Sequence, residues 1–144
     1  MSYLVDTHVW LWYARGDLRR LPPERAQCLT ELDRQGKLYL SVMSVWELAL
    51  LAAKGRIHLG CSTDQWVRTF LRRTRFQVLE LTVGAALDAN ALPGNFHADP
   101  ADRLIVATAR HHELTLITED QKILDYGAQG YLRARAPHDK ELMP

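Results

Sequence analysis

The sequence predicts an α/β fold: one compact domain with a central, mainly parallel, twisted sheet flanked by helices. Short apolar or alternating runs, the signature of strands, recur between longer runs with helical periodicity. They alternate almost strictly as β-α-β-α, and that order builds a three-layer arrangement around a parallel sheet. A length of 144 residues suits one domain with a real hydrophobic core.

In chain order, "YLV" (3–5) is a short apolar strand ending at Asp6. "HVWLWYA" (8–14) and "PPERAQCLTELDRQ" (22–35) read as helices, the second opened by proline. "KLYLSV" (37–42) is a strand, and "SVWELALLAAKG" (44–55) a helix closed by Gly55. "TDQWVRTFLRRT" (63–74) is amphipathic, with Trp66, Val67, Phe70 and Leu71 on one face. "FQVLEL" (76–81) alternates as a strand, and "VGAALDANAL" (83–92) is helical. A loop, "PGNFHA" (93–98), leads into a helix over 99–112. "LTLIT" (114–118) is a strand, "DQKILDYG" (120–127) a short helix, and "GYLRAR" (130–135) a last strand.

Composition narrows the function classes. The chain is 47% hydrophobic and 24% charged with a net charge of +1, so no whole-molecule field draws it to nucleic acid or membrane. Any nucleic-acid contact must be local. Cys28 and Cys61 stand far apart with no zinc-ligand spacing, which fits a reducing cytoplasm rather than a disulfide framework. No signal peptide is read at the N-terminus. The run "LSVMSVWELALLAA" is too short, and too interrupted by Glu47, to cross a bilayer.

Acids mark the junctions between elements: Asp6 after the first strand, Glu47 behind Ser44, Asp102 in the first turn after Asp99-Pro100, and Asp120 after "LTLIT". Each has a structural explanation. Ser44-x-x-Glu47 has the pattern of a capping box. Asp99-Pro-Ala-Asp102 reads as an N-cap, a proline at N1 and an acid at N3. Asp6 and Asp120 can cap the helices that follow them, where the macrodipole favours an acid by about 0.3–1 kcal/mol.

Taken together they say more. In a parallel sheet the strand-to-helix junctions share the carboxyl edge, where such folds bind ligands. Carboxylates gathered there repel unless protonated or bridged by a cation, and Mg²⁺ or Mn²⁺ suits oxygen ligands and water. Glu47 is the only charge between Leu38 and Ala53, so it must be capping, paired or metal-bound. One or two ions on such a cluster support phosphodiester hydrolysis by an activated water. No nucleophile elbow or P-loop competes with that reading.

Other polar residues are less telling. Arg72, Arg73 and Arg75, like Arg15, Arg19 and Arg20, could contact RNA, but solvated faces explain them at least as well. Arg103 is expected to pair with a carboxylate or to reach a phosphate, and His97 to pack in its loop or touch substrate. His111 and His112 suit a helix C-terminus. Trp10, Trp12 and Tyr13 belong to the core or to a subunit interface.

"YLVDTHVWLW", "SVMSVWELAL", "DPADRLIVATA" and "LTLITEDQKIL", in this order and spacing, resemble the PIN-domain ribonucleases, in particular the VapC-type toxins of toxin–antitoxin modules. The resemblance runs from Tyr3 to about Leu124. It implies a single PIN-like α/β/α domain whose metal-binding and catalytic acids are Asp6, Glu47, Asp102 and Asp120. Thr118 resembles the family's supporting hydroxyl; Ser44, Arg103 and Asp99 take supporting roles, Asp99 as a cap or in the outer shell. The family further implies Mg²⁺-dependent (or Mn²⁺-dependent) cleavage of RNA, often tRNA or rRNA. It also implies a homodimer and inhibition by a VapB-like antitoxin that enters the acidic groove. The nuclease domain is expected over residues 1–136, with a mobile tail over 137–144.

Other classes fit less well. A haloacid-dehalogenase-like phosphatase wants Asp-x-Asp after the first strand, where the third residue is His8. A receiver domain wants a late lysine, for which Lys122 is poorly placed. A PIN-like module that binds RNA or protein without cutting must explain why all four acids are present.

Overall fold

The structure is a computed structural model and describes residues 1–139 and Leu142. The elements run β1 (Tyr3–Val5), α1 (Thr7–Arg15), α2 (Pro23–Arg34), β2 (Leu38–Ser41), α3 (Val42–Ala53) and α4 (Thr63–Arg73). They continue through β3 (Gln77–Leu79), α5 (Val83–Ala89), α6 (Pro100–His111), β4 (Thr115–Ile117), α7 (Gln121–Ala128) and β5 (Ala134–Arg135). The strands form one sheet in the order β3-β2-β1-β4-β5, and every pairing is parallel. From β1 the chain builds outward through β2 to β3, then returns to β1's other side for β4 and β5. The boundary between β1 and β4 is therefore the topological switch point, where open α/β sheets bind ligands beyond the strands' carboxyl ends.

Strand alternation separates two layers of core. Tyr3, Val5, Leu38, Leu40 and Ile117 pack on one face with Val9, Trp10, Leu29 and Leu48. Leu4 and Leu116 turn to the other face with Ala85, Ile105, Val106, Ile123 and Tyr126. Each fully buried leucine contributes about 1.5–3 kcal/mol relative to exposure. The expected face of α4 is present: Val67 is buried, and Trp66, Phe70 and Leu71 pack against the first layer. Trp10, Trp66, Phe70, Phe76 and Tyr13 form a chain of tilted, edge-on and stacked rings with centroids 4.9–6.2 Å apart. Trp10 and Tyr13 thus belong to this core. No described helix is long and apolar enough to cross a membrane.

Local chemistry sets the helix ends. Gly16 closes α1 in the left-handed region, and Ser62 and Thr82 cap α4 and α5 through their hydroxyls. The start of α3 differs from the sequence expectation. Ser41, not Ser44, is its N-cap, with Oγ accepting from Met43 N at 3.0 Å. Strand β2 passes into the helix with no intervening turn, so Ser44 and Glu47 lie inside α3 and form no capping box. The strand expected over 76–81 contracts to Gln77–Leu79, and the helix over 83–92 ends at Ala89. Both cysteines are free. The tail expected over 137–144 lies partly outside the described residues; within them, Leu142 is buried and its carbonyl accepts from Cys28 Sγ at 3.0 Å.

Candidate active site

The switch point is bridged by side chains. Asp6 leaves the end of β1, only 7% exposed, and caps α1 by accepting from Thr7 N at 2.8 Å. Its other oxygen accepts from the hydroxyl of Thr118, at the end of β4, at 2.6 Å. Thr118 Oγ1 in turn accepts from Asp120 N at 3.0 Å, and Asp120 caps α7 by accepting from Lys122 N and Ile123 N. One fully buried hydroxyl thus links the acids that follow the two central strands.

A second hydroxyl brings in α3. Thr7 Oγ1 lies 2.6 Å from Glu47 Oε1 and 2.9 Å from Ser44 Oγ. Threonine has one hydroxyl proton; the carboxylate takes it, and Ser44 can donate to Thr7. Glu47 can reach Thr7 because it lies in the second turn of α3, four residues beyond Met43, and not at the helix end. Sequence reading passed over Thr7. Its position between Asp6 and the apolar run of α1 was visible, but its partners are 37 and 40 residues away.

Asp102 arrives by another route. No strand immediately precedes α6; α5 and the loop over 90–99 intervene. Asp99 caps α6 by accepting from Asp102 N at 3.0 Å and is itself exposed. The loop is fastened by Arg103, whose guanidinium donates to the carbonyls of Ala89, Phe96 and His97 at 2.8, 2.9 and 3.1 Å. Among the described residues Arg103 therefore pairs with no carboxylate, one of its two expected roles, and instead holds the loop beside the site. His97 lies in that loop with Nδ1 accepting from Asp99 N at 3.3 Å, which assigns the ring proton to Nε2. Nε2 stands 3.2 Å from Asp102 Oδ2 but off the line of a good hydrogen bond, and no other partner satisfies it.

The acids lie near enough to act on one another electrostatically. Burial, then the negative charges of Asp6, Asp99, Asp120 and Glu47, push the Asp102 carboxyl up to about 7. Asp6 is raised chiefly by burial, with the Asp120 charge adding and the bonds from Thr118 and Thr7 opposing. Burial also raises Glu47, with Asp6 and Asp99 adding and the Thr7 bond opposing. A charge on His8 would favour the ionised forms of both Asp6 and Glu47.

Among the described residues no three histidine, cysteine or acidic side chains are already gathered into an ion shell. Mg²⁺ does not require one, because one or two carboxylates with water and substrate phosphate complete its coordination. The oxygen donors of Asp6, Glu47 and Asp102, whose carboxyls are raised chiefly by burial and further by neighbouring acids, suit a hard divalent cation.

Comparison with known proteins agrees with this geometry. The family model described as PIN domain matches residues 3–129. Ribonuclease VapC22 from Mycobacterium tuberculosis is 35% identical over 122 residues, spanning 85% of this chain and 89% of that protein. Among solved structures, a chain of DNA-bound VapBC from Salmonella typhimurium superposes with a TM-score of 0.68 at 15% identity, covering 95% of this chain and 98% of that one. A chain of VapBC2 from Rickettsia felis, bound to a promoter DNA fragment, gives 0.68 at 16% identity, covering 94% and 98%. The acids bridged across the β1–β4 boundary thus sit in a fold and sequence pattern with a family of their own, and the chain belongs to the PIN-domain family.

Proposed function

We propose that this chain is a metal-dependent endoribonuclease, the toxin of a toxin–antitoxin pair. The observation that carries the reading is the bridge Asp120–Thr118–Asp6–Thr7–Glu47 across the switch point, together with an Asp102 carboxyl raised to about 7 by burial and then by the charges of these acids and Asp99. A relative 35% identical over most of the chain is a VapC ribonuclease, which supports the same activity here. The VapBC neighbours support a VapB-like antitoxin as partner.

Asp6, Glu47, Asp102 and Asp120 would hold Mg²⁺ (or Mn²⁺), which would supply Lewis acidity at a phosphodiester and lower the pKa of a neighbouring water. The chain's own groups prepare that site. Thr118 fixes the rotamer of Asp6, Thr7 fixes Glu47, and the caps at Asp99 and Asp120 hold the ends of α6 and α7 toward the same crevice. Near neutral pH Asp102 retains a proton that cation binding must release, so metal affinity rises with pH through this range. Phosphodiester hydrolysis then needs no covalent intermediate on the protein.

The test is cleavage of a structured RNA, such as tRNA, by the purified chain in Mg²⁺. Cleavage should stop with EDTA and fall at least about a hundredfold in Asp6→Asn. Unchanged cleavage in EDTA or in Asp6→Asn would remove the mechanism. RNA binding without cleavage would leave a non-catalytic module.

A further inference from the structure

A cleft of about 540 Å³ runs beside the acids between α1 and the end of α3. Its two walls start at the site: α1 from its cap Asp6, and α3 from the segment that carries Glu47. On α1 the residues His8, Leu11, Trp12 and Arg15 fall at i, i+3, i+4 and i+7, a single stripe leading away from the acids. Leu51, Arg56 and Ile57 form the facing wall, and Arg20 closes the far end with its guanidinium 5.9 Å from the centroid of the Trp12 ring.

The charge pattern of this cleft is the reverse of the site it adjoins. Its lining has three arginines and a histidine against one acid, Asp17. Asp17 is already engaged: its carboxylate accepts from the backbone of Arg19 and Arg20 and lies 3.9 Å from Arg20 Nε. Arg15 and Arg56 are exposed and make no ion pair among the described residues. From His8 to Arg15 the helix rises about 10 Å, which is about three nucleotides of a stacked strand.

We propose that the cleft lined by His8, Leu11, Trp12, Arg15, Arg20 and Arg56 binds the single strand of RNA flanking the scissile phosphate. Arg15 and Arg56 meet successive phosphates, Trp12 offers its ring to a base, and Leu11 forms part of the apolar floor. This arrangement gives aromatic and cationic contacts in one groove, the combination that binds single strands without reading their sequence. It also answers a difficulty of the acidic site, which repels the very backbone it is to cut: the attraction is placed a few nucleotides away. The cleft at the amino edge of the sheet offers no such continuity. There Arg110 is held by Asp88 and the Tyr131 carbonyl, and the lining stands apart from the acids.

The inference rests on the ribonuclease reading, and the experiment separates the two. Binding of a fluorescein-labelled single-stranded RNA oligonucleotide is measured in Mg²⁺ across a salt series, with the full chain carrying Asp102→Asn so that the strand stays intact. Adding Arg15→Ala and Arg56→Ala should weaken binding about tenfold and reduce the slope of log K against log salt by about 1.4, at about 0.7 per phosphate contact. Arg15→Lys with Arg56→Lys should restore most of the slope, and Arg133→Ala, at the amino-edge cleft, should change neither quantity. If these shifts occur while the unsubstituted chain fails to cleave RNA, the cleft stands and the hydrolytic reading falls. If that chain cleaves RNA and the double alanine variant binds with parental affinity and slope, the cleft assignment is overturned. Loss of a polypeptide partner alone in that variant would equally overturn it, in favour of a protein-binding surface.

Discussion

Two threonines give the acids their order. Thr118 is fully buried, donates to Asp6 Oδ2 and receives Asp120 N, so it joins the ends of two strands through one hydroxyl. Valine has nearly the same shape but offers no proton, leaving a buried carboxylate oxygen without its donor. Thr118→Val should therefore cost about 1–3 kcal/mol of stability and reduce RNA cleavage, measured by thermal unfolding and initial rates. Thr7→Val should release Glu47 and lower cleavage with a smaller loss of stability, because Glu47 is only half-buried. The carboxyls behave in the opposite way. Asp102→Asn removes a charge that burial and four neighbouring acids disfavour, so it should abolish cleavage while leaving the metal-free fold as stable or more so. Asp6, Asp102 and Asp120 stand out in the sequence because each lies at or near the start of a helix, and Glu47 because it is the only charge in an apolar run. Thr7 does not stand out, and the sequence leaves the role of His97 open, since their partners are supplied only by the fold.

At the scale of elements, helix α6 and the loop before it deliver Asp102. Asp99 is its cap, and Asp99→Ala should cost about 1 kcal/mol, whereas Asp99→Ser should recover most of that loss. Equal loss of cleavage in both, with stability recovered only in the serine variant, would instead make Asp99 part of the metal site. The loop has little slack. Gly94 adopts φ +70°, and a methyl there would run into the Tyr131 ring, so Gly94→Ala should destabilise the chain and disturb the Arg103-anchored turn that carries His97. Element order was legible because apolar periodicity switches cleanly between strand and helix. The beginning of α3 was not. "SVMSVWE" offers two serines, each able to cap, and local sequence does not say that β2 passes directly into helix at Ser41. That shift of three residues moves Glu47 from the first turn into the second, where Thr7 meets it.

At the scale of the whole molecule, the fold brings scattered acids within electrostatic reach of one another, and the molecule bears the repulsion that results. The folded chain keeps a proton on Asp102 up to about pH 7, while the unfolded chain releases it near the ordinary value of 3.8. Between those values the native state holds more protons, so stability falls as pH rises. Asp6 and Glu47, also raised, act in the same direction. For Asp102, allowing for solvent screening of a part-exposed group, the effect is on the order of 1–2 kcal/mol. A cation bound only by the folded chain reverses it by mass action. Convergence across the β1–β4 boundary follows from topology, which the alternation of elements implied; the closeness of the acids depends on loop 90–99 and was not written in any one motif.

The most direct measurement is thermal unfolding of the metal-free chain from pH 5 to pH 8, with and without millimolar Mn²⁺, beside Asp102→Asn. The melting temperature of the unsubstituted chain should fall about 5 °C more than that of the variant across this range, and Mn²⁺ at pH 8 should restore it in the unsubstituted chain alone. Parallel pH profiles, with no response to Mn²⁺ in either protein, would contradict the convergence of these acids on a cation site.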